Sequence, residues 1–396
     1  MKLQEVFDAY SNYIMPTYTK TPLAFLKGKG SYLWDIHNRK YLDFFPGWGV
    51  GNLGHCHPKV MTAVRDQISK LIFIPNNYYH TPQAKLAKEI NFWSGFPVKI
   101  FFCNSGAEAN EAAIKFARKF GKGRFEIITF ENSFHGRTLA ALAATGQNKY
   151  KEGFQPLPEG FKTCPFNNLE AVKSNLTDKT VAIMLELIQG EGGINIADED
   201  FVFGLRKLCD ERKLLLIIDE VQTGIGRTGS MFAYQYYEIK PDVVTLAKSL
   251  GGGLPIGAML VKKEIADVLG PGTHASTFGG GCVICKAALA VLKSIQKEKL
   301  LNKAKSSGGY LIDQLNSLKN KYPVIHDVRG KGLMIGVELK AQAKDVVERC
   351  IKKGLLINCT HEKVLRLMPA LNVTKKEIDR AVSIFDEVLE SIGSKL

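Results

Sequence analysis

Six short apolar segments in the middle of the 396-residue chain constrain its fold more than any other feature. Several of them are apolar at every position, which is typical of strands buried on both faces of a mainly parallel sheet. Helical patterns at Ala107–Phe120 and Glu199–Lys213 lie between them, and Gly121 is placed to stop the first helix. This alternation predicts an α/β fold. The expected strands are Lys99–Cys103, Glu126–Phe130, Val181–Leu187, Leu214–Asp219, Val243–Leu246 and Ile256–Val261.

The two ends of the chain differ from the middle. The first 45 residues are rich in aromatic side chains, and long helical patterns cover about residues 286–319. A strand at Leu333–Leu339 follows, and the last helix opens with the capping box Thr374-Lys-Lys-Glu377 and runs to about Ile392. We predict that both ends form a smaller α+β domain beside a large one. The expected division is 1–50, 51–285 and 286–396.

The composition argues against several classes of protein. Hydrophobic residues make up 45% and charged residues 23%, as in an average globular protein. No run of 18 apolar residues predicts a membrane-spanning helix, and the first residues lack the apolar core of a secretory signal, so a cytoplasmic enzyme is expected. The net charge of +14 comes from basic residues spread along the chain. This pattern favours anionic small substrates over a nucleic-acid or membrane partner.

Two motifs suggest other classes of protein but lack the context that those classes need. Cys282 and Cys285 form the one C-x-x-C pair among eight cysteines, and no second pair or histidine spacing completes a zinc site. We therefore expect reduced, structural thiols and no metal. Gly224-Ile-Gly226-Arg-Thr-Gly229 is a G-x-G-x-x-G motif, but Glu220, Val221, Gln222 and Thr223 separate it from the expected strand Leu214–Asp219, and no clear helix follows. A dinucleotide-binding turn requires both features.

Two strand ends carry residues that could take part in catalysis or ligand binding. The segment Leu214–Asp219 delivers the carboxylates of Asp219 and Glu220 to the edge of the sheet where α/β proteins bind ligands. The segment Val243–Leu246 is followed by Lys248 and a triple glycine. A desolvated lysine is a nucleophile for carbonyl groups, and glycines allow a ligand to approach the backbone closely.

A third strand end precedes a small polar turn, Asn104-Ser-Gly-Ala-Glu-Ala-Asn110, that opens a helix. Backbone N–H groups at a helix start bind anions such as phosphate, although Ser105 is also an ordinary N-cap. An acid, a lysine and an anion site are together what pyridoxal phosphate requires.

Nine motifs spread over nearly the whole chain extend this pattern. They are Tyr41-Leu-Asp-Phe44, Gly54-His-Cys-His-Pro58, Asn104-Ser-Gly-Ala-Glu-Ala-Asn110, Ser133-Phe-His-Gly-Arg-Thr138, Gln189-Gly-Glu-Gly-Gly193, Asp219-Glu-Val-Gln-Thr-Gly224, Ala247-Lys-Ser-Leu-Gly251, Ser276-Thr-Phe-Gly-Gly280 and Leu365-Arg-Leu367. In these motifs the chain resembles the class III (omega) aminotransferases of fold type I, which are pyridoxal-phosphate enzymes. The resemblance implies a large domain with a mainly parallel seven-stranded sheet.

The resemblance also implies roles around the cofactor. Lys248 is expected to bond covalently to it, Asp219 to pair with the pyridine nitrogen, and Gln222 to lie near the phenolic oxygen. Phe134 is expected to stack on the ring. The expected phosphate site is formed by Ser105, Gly106 and Ala107, and by Thr277 from the other subunit of a homodimer.

The same resemblance places substrate carboxylates on Arg137 and Arg366, because a guanidinium group binds a carboxylate with two hydrogen bonds. Glu191 is expected to pair with Arg366 until 2-oxoglutarate brings its second carboxylate. Trp48 and Ser276 complete the expected substrate site. Within the family, the motifs are closest to those of acetylornithine aminotransferases. This implies transfer of the terminal amino group of N2-acetyl-L-ornithine to 2-oxoglutarate, in arginine biosynthesis.

Some departures leave alternatives open. Trp48 is larger than the residue of typical acetylornithine enzymes, so ornithine, 4-aminobutyrate and N-succinyl-diaminopimelate remain possible donors. Gly281-Cys282 replaces an Asn-Pro pair usual in the family. The resemblance implies a structural role for the loop His55-Cys56-His57 and a positioning role for His135. A cofactor-holding regulatory protein without turnover is a further alternative, disfavoured by Lys248 and Asp219, and an NAD dehydrogenase is a third.

Overall fold

The structure, a computed structural model, describes residues 2–392. Its helices are α1 (Leu3–Tyr13), α2 (Pro58–Ile68), α3 (Thr81–Ser94), α4 (Gly106–Phe120), α5 (Leu139–Ala144), α6 (Leu169–Asn175), α7 (Glu199–Arg212), α8 (Cys282–Lys297), α9 (Leu300–Lys321), α10 (Lys344–Lys352) and α11 (Lys375–Ile392). Its strands are β1 (Phe25–Lys29), β2 (Tyr32–Asp35), β3 (Lys40–Asp43), β4 (Val98–Cys103), β5 (Glu126–Phe130), β6 (Phe161–Cys164), β7 (Thr180–Leu185), β8 (Ile188–Gln189), β9 (Asn195–Ile196), β10 (Leu215–Asp219), β11 (Val243–Leu246), β12 (Gly257–Lys262), β13 (Ile325–Lys331), β14 (Met334–Leu339), β15 (Leu355–Leu356), β16 (Asn358–Thr360) and β17 (Val364–Leu367).

A seven-stranded sheet in the order β4-β12-β11-β10-β7-β5-β6 forms the centre of the fold. Strand β12 runs antiparallel to β4 and β11, and the other neighbouring strands are parallel to each other. Strands β7, β10 and β11 are buried at every residue because helices cover both faces. Ile217 packs against the α4 face and Ile218 against the opposite face, as the pleat requires. The predicted mainly parallel, seven-stranded sheet is confirmed.

The six predicted strands all form. Two of them have the predicted ends, and the ends of the other four differ by at most two residues. The expected segment Val181–Leu187 ends earlier, at Leu185, where the chain turns into β8. The edge strand β6 was not predicted, because it is short and only one of its four residues is fully buried, so it shows no apolar run. The helical pattern over residues 286–319 is two helices, α8 and α9, which are separated at Lys299 by a positive φ of 52°.

One smaller sheet combines the two ends of the chain, and another is formed by the C-terminal part alone. Strand β15 pairs in parallel with β3, so that Leu355 lies beside Leu42. The other sheet has the order β13-β14-β17-β16. The predicted capping box of α11 is confirmed, since Thr374 N–H donates to Glu377 at 2.8 Å and Glu377 N–H donates to Thr374 at 3.3 Å. The division into 1–50, 51–285 and 286–396 stays a prediction.

Gly121 ends α4, as predicted, without the left-handed conformation that glycine often adopts after a helix. Its φ is −67°, which is an ordinary helical value and not the left-handed conformation that favours glycine. A Cβ at this position would lie 2.1 Å from the carbonyl oxygen of Arg124. Glycine is therefore required by the close approach of the next turn.

Two neighbouring glycines of α9 predict opposite stability effects. A Cβ at Gly308 would lie 2.0 Å from the carbonyl oxygen of Gly332, whereas a Cβ at Gly309 meets no atom within 4 Å. We expect Gly308→Ala to destabilise the protein by about 1–3 kcal/mol, because the backbone must shift. Gly309→Ala should stabilise it by about 0.5–1 kcal/mol, through the higher helix propensity of alanine. The measurement is the thermal unfolding midpoint, and shifts of the same sign would contradict this packing.

Candidate active site

A cavity of 470 Å³ lies at the carboxyl ends of the central strands, where open α/β sheets bind ligands. The turns that follow β4, β5, β10 and β11 each contribute to its wall. Because these strands are parallel, their carboxyl ends lie at one edge of the sheet. The cavity thereby brings together most of the site residues that the sequence suggested. They are Ser105, Gly106, Ala107, Phe134, Arg137, Asp219, Gln222 and Lys248.

Asp219 is the last residue of β10, and its carboxylate is 3% exposed. Its Oδ2 accepts a hydrogen bond from Asn110 Nδ2 at 2.7 Å and lies 2.8 Å from His135 Nδ1. Its Oδ1 accepts from the N–H of Val221 at 3.0 Å. A carboxylate accepts hydrogen bonds, so His135 Nδ1 carries the proton in this pair. The acid is therefore held in one orientation by three donors.

The side chains that hydrogen-bond to Asp219 have further hydrogen-bond partners that fix their own positions. Asn110 Oδ1 accepts from the Thr245 hydroxyl at 2.7 Å, and Asn110 Nδ2 also donates to the carbonyl of His135 at 2.7 Å. His135 therefore lies where a positioning residue must lie. The sequence reasoning assigned no role to Asn110 or Thr245. A signal for Asn110 was present, since it is a polar residue between Ala109 and two further alanines on the buried face of α4.

Lys248 follows β11 and lines the cavity. Its φ of 43° is rare for a residue with a Cβ, and backbone strain of this kind is concentrated at functional sites. Desolvation lowers the pKa of Lys248, and the positive charge of Arg366 acts in the same direction, while the carboxylates of Glu191 and Asp219 oppose it. The ammonium group is thus easier to deprotonate than that of an exposed lysine.

The start of α4 has the features of an anion site. The hydroxyl of Ser105 accepts from the N–H of Glu108 at 3.1 Å, as an N-cap does. The N–H groups of Gly106 and Ala107 have no carbonyl partner within the helix, and both residues line the cavity. A Cβ at Gly106 would lie 2.8 Å from Val221. Glycine therefore allows this helix start to lie close to the turn after β10.

Arg366 lies in β17 and is fully buried. Its Nη1 donates to Glu191 Oε1 at 2.6 Å, to the carbonyl of Gly190 at 2.6 Å and to Gln222 Oε1 at 3.1 Å. Its Nη2 donates to Asn358 at 2.8 Å. Burial opposes the charge of Glu191, but the adjacent Arg366 outweighs it, and the pKa of Glu191 lies below its ordinary value. The expected pair between Glu191 and Arg366 is thus present.

Arg137 is the second predicted carboxylate-binding arginine. It lies exposed at the cavity, with its guanidinium 4.1 Å from the ring centre of Tyr150 and 5.5 Å from that of Phe134. No carboxylate pairs with it in the part of the chain that the structure describes. Its donors are therefore available to an anionic ligand.

Five predicted site residues do not line the cavity: Glu191 and Arg366, whose pair is described above, and Trp48, Ser276 and Thr277. Trp48 is 46% exposed and packs edge to face against Phe45, on whose ring the guanidinium of Arg366 also lies. Ser276 accepts a hydrogen bond from Asn104 at 3.0 Å, and Thr277 is exposed beside it. Thr277 lines a second cavity together with Asn104 and Glu108 and does not line the cavity that contains Lys248. Its role across a dimer stays a prediction.

Two buried carboxyl groups, those of Glu186 and Glu220, lie next to Asp219 and Phe134. Glu186 accepts from the N–H of Phe134 at 2.9 Å and from the N–H of Gly190 at 3.1 Å. Burial raises the pKa of Glu186 to about 7 and the pKa of Glu220 to about 7. Glu186 thereby connects Phe134, the predicted ring-stacking residue, to Gly190, which precedes Glu191.

The other motifs have structural partners. His55 lies 2.7 Å from Asp43, and His57 lies 3.5 Å from Glu298. All eight cysteines are free. Within residues 2–392, no group of three His, Cys, Asp or Glu side chains could hold a metal ion, and no helix is long and apolar enough to cross a membrane. The segment 224–229 is a turn and does not open a helix, so the dinucleotide-binding interpretation lacks its structural context.

The family model for class III aminotransferases matches residues 13–389. The chain belongs to the class III aminotransferases. This aminotransferase is 50% identical to the acetylornithine aminotransferase of Methanocaldococcus jannaschii, over 99% of this chain and 100% of that protein. Two structures of the ornithine aminotransferase of Toxoplasma gondii superpose on it with a TM-score of 0.96 at 31% identity, and cover 100% of this chain and 97% and 95% of theirs. One of them contains PLP at partial occupancy in its active site.

These matches confirm the predicted fold of this aminotransferase, fold type I with a large seven-stranded sheet. They also confirm that it is a transferase and not an NAD dehydrogenase. The two names among the relatives, acetylornithine and ornithine aminotransferase, share a reaction type and differ in the amino donor.

Glu220 predicts a pH-dependent contribution to the stability of this aminotransferase. Its pKa is raised from 4.5 to about 7, so the cost of a buried charge is absent below about pH 4.5 and complete above about pH 7. Glu220→Gln removes this charge while still accepting from the N–H of Tyr234 and donating to Thr223. We expect the variant to gain about 2 kcal/mol of stability relative to the wild type between about pH 5 and about pH 8. Unfolding midpoints across this range measure the gain.

The control for this prediction is Glu211→Gln, at an exposed position of α7. Its midpoint should follow the wild type at every pH. If both variants show the same pH dependence, burial is not the cause.

Proposed function

We propose that this enzyme binds pyridoxal 5'-phosphate and transfers the terminal amino group of N2-acetyl-L-ornithine to 2-oxoglutarate. The products are N-acetyl-L-glutamate 5-semialdehyde and L-glutamate, in arginine biosynthesis. The observation that carries the proposal is one cavity that contains a desolvated lysine, a buried acid and an anion-binding turn beside a paired arginine and glutamate. The relative at 50% identity, named acetylornithine aminotransferase, supports the choice of donor.

The residues around the cavity fit pyridoxal phosphate. The first turn of α4 supplies N–H donors for a phosphate. Val221 leaves no room for a side chain at position 106, so the glycine there is required. Asp219 is fixed by three donors and is suited to a protonated pyridine nitrogen. We assign the ring contact to Phe134 and the phenolic oxygen to Gln222. Lys248 is the residue for covalent attachment.

In the proposed reaction, the amino group of the donor would displace Lys248 from the cofactor, and the freed Nζ of Lys248 moves the proton. When bound, pyridoxal phosphate would supply an electron sink for the carbon that loses its proton. The lowered pKa of Lys248 allows its Nζ to remove that proton and to return one at the adjacent position. Asp219 keeps the pyridine nitrogen protonated throughout, because His135 and Asn110 hold its carboxylate in place.

The arginines would select two substrates of different charge. Arg137 is available to the carboxylate that both substrates carry. Glu191 neutralises Arg366 while the donor is bound, and rotates away when 2-oxoglutarate presents its second carboxylate. The Glu191 side chain can rotate without movement of its backbone, because the Thr360 hydroxyl donates to the Glu191 carbonyl at 2.7 Å and anchors it.

We further propose a cytoplasmic homodimer in which Thr277 of each subunit reaches the phosphate of the other. The exposure of Thr277 and of Phe278, which is 65% exposed, supports a contact with a second copy. Small molecules are the proposed partners, with no nucleic acid or membrane. Ornithine, 4-aminobutyrate and N-succinyl-diaminopimelate are the alternative donors, and the exposed Trp48 beside Phe45 is the first residue to examine for this choice.

The visible absorbance of the holoenzyme tests the reaction and the donor. N2-acetyl-L-ornithine should remove the long-wavelength cofactor band, and 2-oxoglutarate should restore it. Lys248→Ala should lower the turnover number by about 1,000-fold or more, because the proton-transfer group is lost. Lys162→Ala, on the edge strand β6, is the matched control and should retain normal turnover.

A band that responds only to another donor would keep the reaction and replace the substrate. Substantial turnover of Lys248→Ala would overturn the assignment of the lysine. Absence of any band after addition of pyridoxal phosphate would overturn the function itself.

The pairing of Glu191 with Arg366 predicts the effect of removing the carboxylate. Glu191→Ala leaves Arg366 permanently available, so the KM for 2-oxoglutarate should fall relative to that for the donor by about tenfold, or about 1.4 kcal/mol. Glu191→Gln keeps a hydrogen-bond acceptor without the charge and should give an intermediate ratio. Steady-state kinetics with both substrates measure it, and an unchanged ratio in both variants would exclude the switch.

A further inference from the structure

Arg227 is a buried charged residue that the proposed reaction does not use. It lies in the G-x-G-x-x-G turn, and its side chain is 0% exposed. No carboxylate pairs with its guanidinium anywhere in residues 2–392, and burial lowers its pKa to about 9. A buried cation without an opposite charge is costly. Its presence therefore requires a compensating set of contacts.

Three neutral oxygens supply these contacts. Nη1 donates to the carbonyl of Leu333 at 3.0 Å and to the carbonyl of Pro369 at 2.5 Å. Nη2 donates to the side-chain oxygen of Asn52. The backbone of Arg227 also accepts from the N–H of Leu333 at 3.0 Å. The three acceptors come from three distant parts of the sequence, so one planar guanidinium fixes their relative positions.

Asn52 belongs to the loop that carries Trp48. Its side-chain amide donates back to the carbonyl of Ile225 at 2.6 Å, and its own carbonyl accepts from Leu371 at 2.7 Å. The loop is thus tied both to the turn of Arg227 and to the segment after β17. A displacement of Arg227 would therefore also displace the loop that carries Trp48.

Pro369 and Leu333 lie next to strands of the sheet that carries Arg366. Pro369 lies three residues after Arg366, and Leu333 precedes β14, which pairs with β17 through Gly336 and Arg366. On the other side, Arg227 is five residues after Gln222 and eight after Asp219. One side chain thus joins the substrate side of the cavity to its cofactor side.

We propose that Arg227 is a positioning residue, which holds Arg366 and the Trp48 loop in register with the segment from Asp219 to Gln222. This inference rests on the proposed function, because it assigns Arg366 to a substrate carboxylate. It predicts that loss of Arg227 weakens dicarboxylate binding selectively. Cofactor binding, which depends on the central sheet and α4, should change little.

The test compares Arg227→Met and Arg227→Lys with the same changes at Arg124. Arg124 also donates to backbone carbonyls, those of Thr180 at 3.5 Å and Lys213 at 3.2 Å, but does not line the cavity. The probe is glutarate, a dicarboxylate without a keto group, titrated calorimetrically into the holoenzyme. Equilibrium dialysis gives the dissociation constant of pyridoxal phosphate, and the unfolding midpoint reports stability.

Arg227→Met should raise the dissociation constant of glutarate at least tenfold and that of pyridoxal phosphate less than twofold. Arg227→Lys should give an intermediate value for glutarate, because one ammonium group reaches fewer acceptors than a guanidinium. Both Arg124 variants should match the wild type. An unchanged or higher midpoint together with weakened glutarate binding would separate positioning from stability, since apolar replacement of a buried charge is often neutral or stabilising.

Two outcomes would overturn the proposal. One is a glutarate dissociation constant within twofold of the wild type in Arg227→Met. The other is an equal loss of glutarate and cofactor binding, which indicates general unfolding. If Arg227→Met does not fold, Asn52→Leu removes one acceptor and should weaken glutarate binding at least threefold, and no change would reject the proposal.

The glutarate titration also separates this proposal from the proposed function. A wild-type enzyme that ignores N2-acetyl-L-ornithine would refute the donor but leave the glutarate comparison valid. A wild-type holoenzyme that does not bind glutarate would refute both the carboxylate role of Arg366 and the role of Arg227 that depends on it.

Discussion

The buried carboxylate of Asp219 is the group on which the arrangement of the site depends. A charge in the interior is stable only if hydrogen bonds replace its hydration, and each of its donors comes from a different element. Asn110 comes from α4, His135 from the segment after β5, and Val221 from the turn after β10. Thr245 of β11 holds Asn110 in turn. One carboxylate thereby sets the relative positions of the elements that form the cofactor side.

The proposed substrate side is organised differently, because the proposed reaction requires its central charge to change partners. Arg366 is satisfied by Glu191 and by neutral oxygens of Gly190, Gln222 and Asn358. In that proposal, the neutral acceptors keep the guanidinium in place when the carboxylate leaves. A buried ion pair contributes little net stability, since desolvation offsets most of the attraction. Its retention here is explained better by exchange with a ligand than by stability.

The sequence was sufficient to predict the central architecture and the groups that could take part in catalysis or ligand binding. Continuous apolar runs predicted strands buried on both faces, and the residues that follow them, Asp219 and Lys248, were expected at one edge because parallel strands share it. Polar residues that act through others were harder to assign. Asn110 and Thr245 look like ordinary members of a helix and a strand, and their role follows only from the distance between their side chains.

The sequence also left out elements whose pattern is weak. The edge strand β6 has little apolar character, because one side of an edge strand faces no neighbour. Gly121 was correctly placed at the end of α4, but the reason for glycine there is the carbonyl of Arg124, a contact within a turn that sequence patterns do not describe. Similarly, the sequence argued against a dinucleotide-binding role for the G-x-G-x-x-G motif but did not indicate what its Arg227 contacts.

The sequence by itself determined the fold class, the strand ends that carry the acid, the lysine and the anion turn, and the family, because these depend on local periodicity and on motifs that are contiguous along the chain. Only the tertiary structure decided what surrounds a buried charge that no motif explains. Arg227 is buried among oxygens of Asn52, Leu333 and Pro369, each more than 100 residues away along the chain, whereas the pair of Glu191 with Arg366 was already expected from the resemblance. The physical reason is that the energy of a charge depends on the dielectric and on the partners within a few ångströms, and neither is encoded by the spacing of residues along the chain.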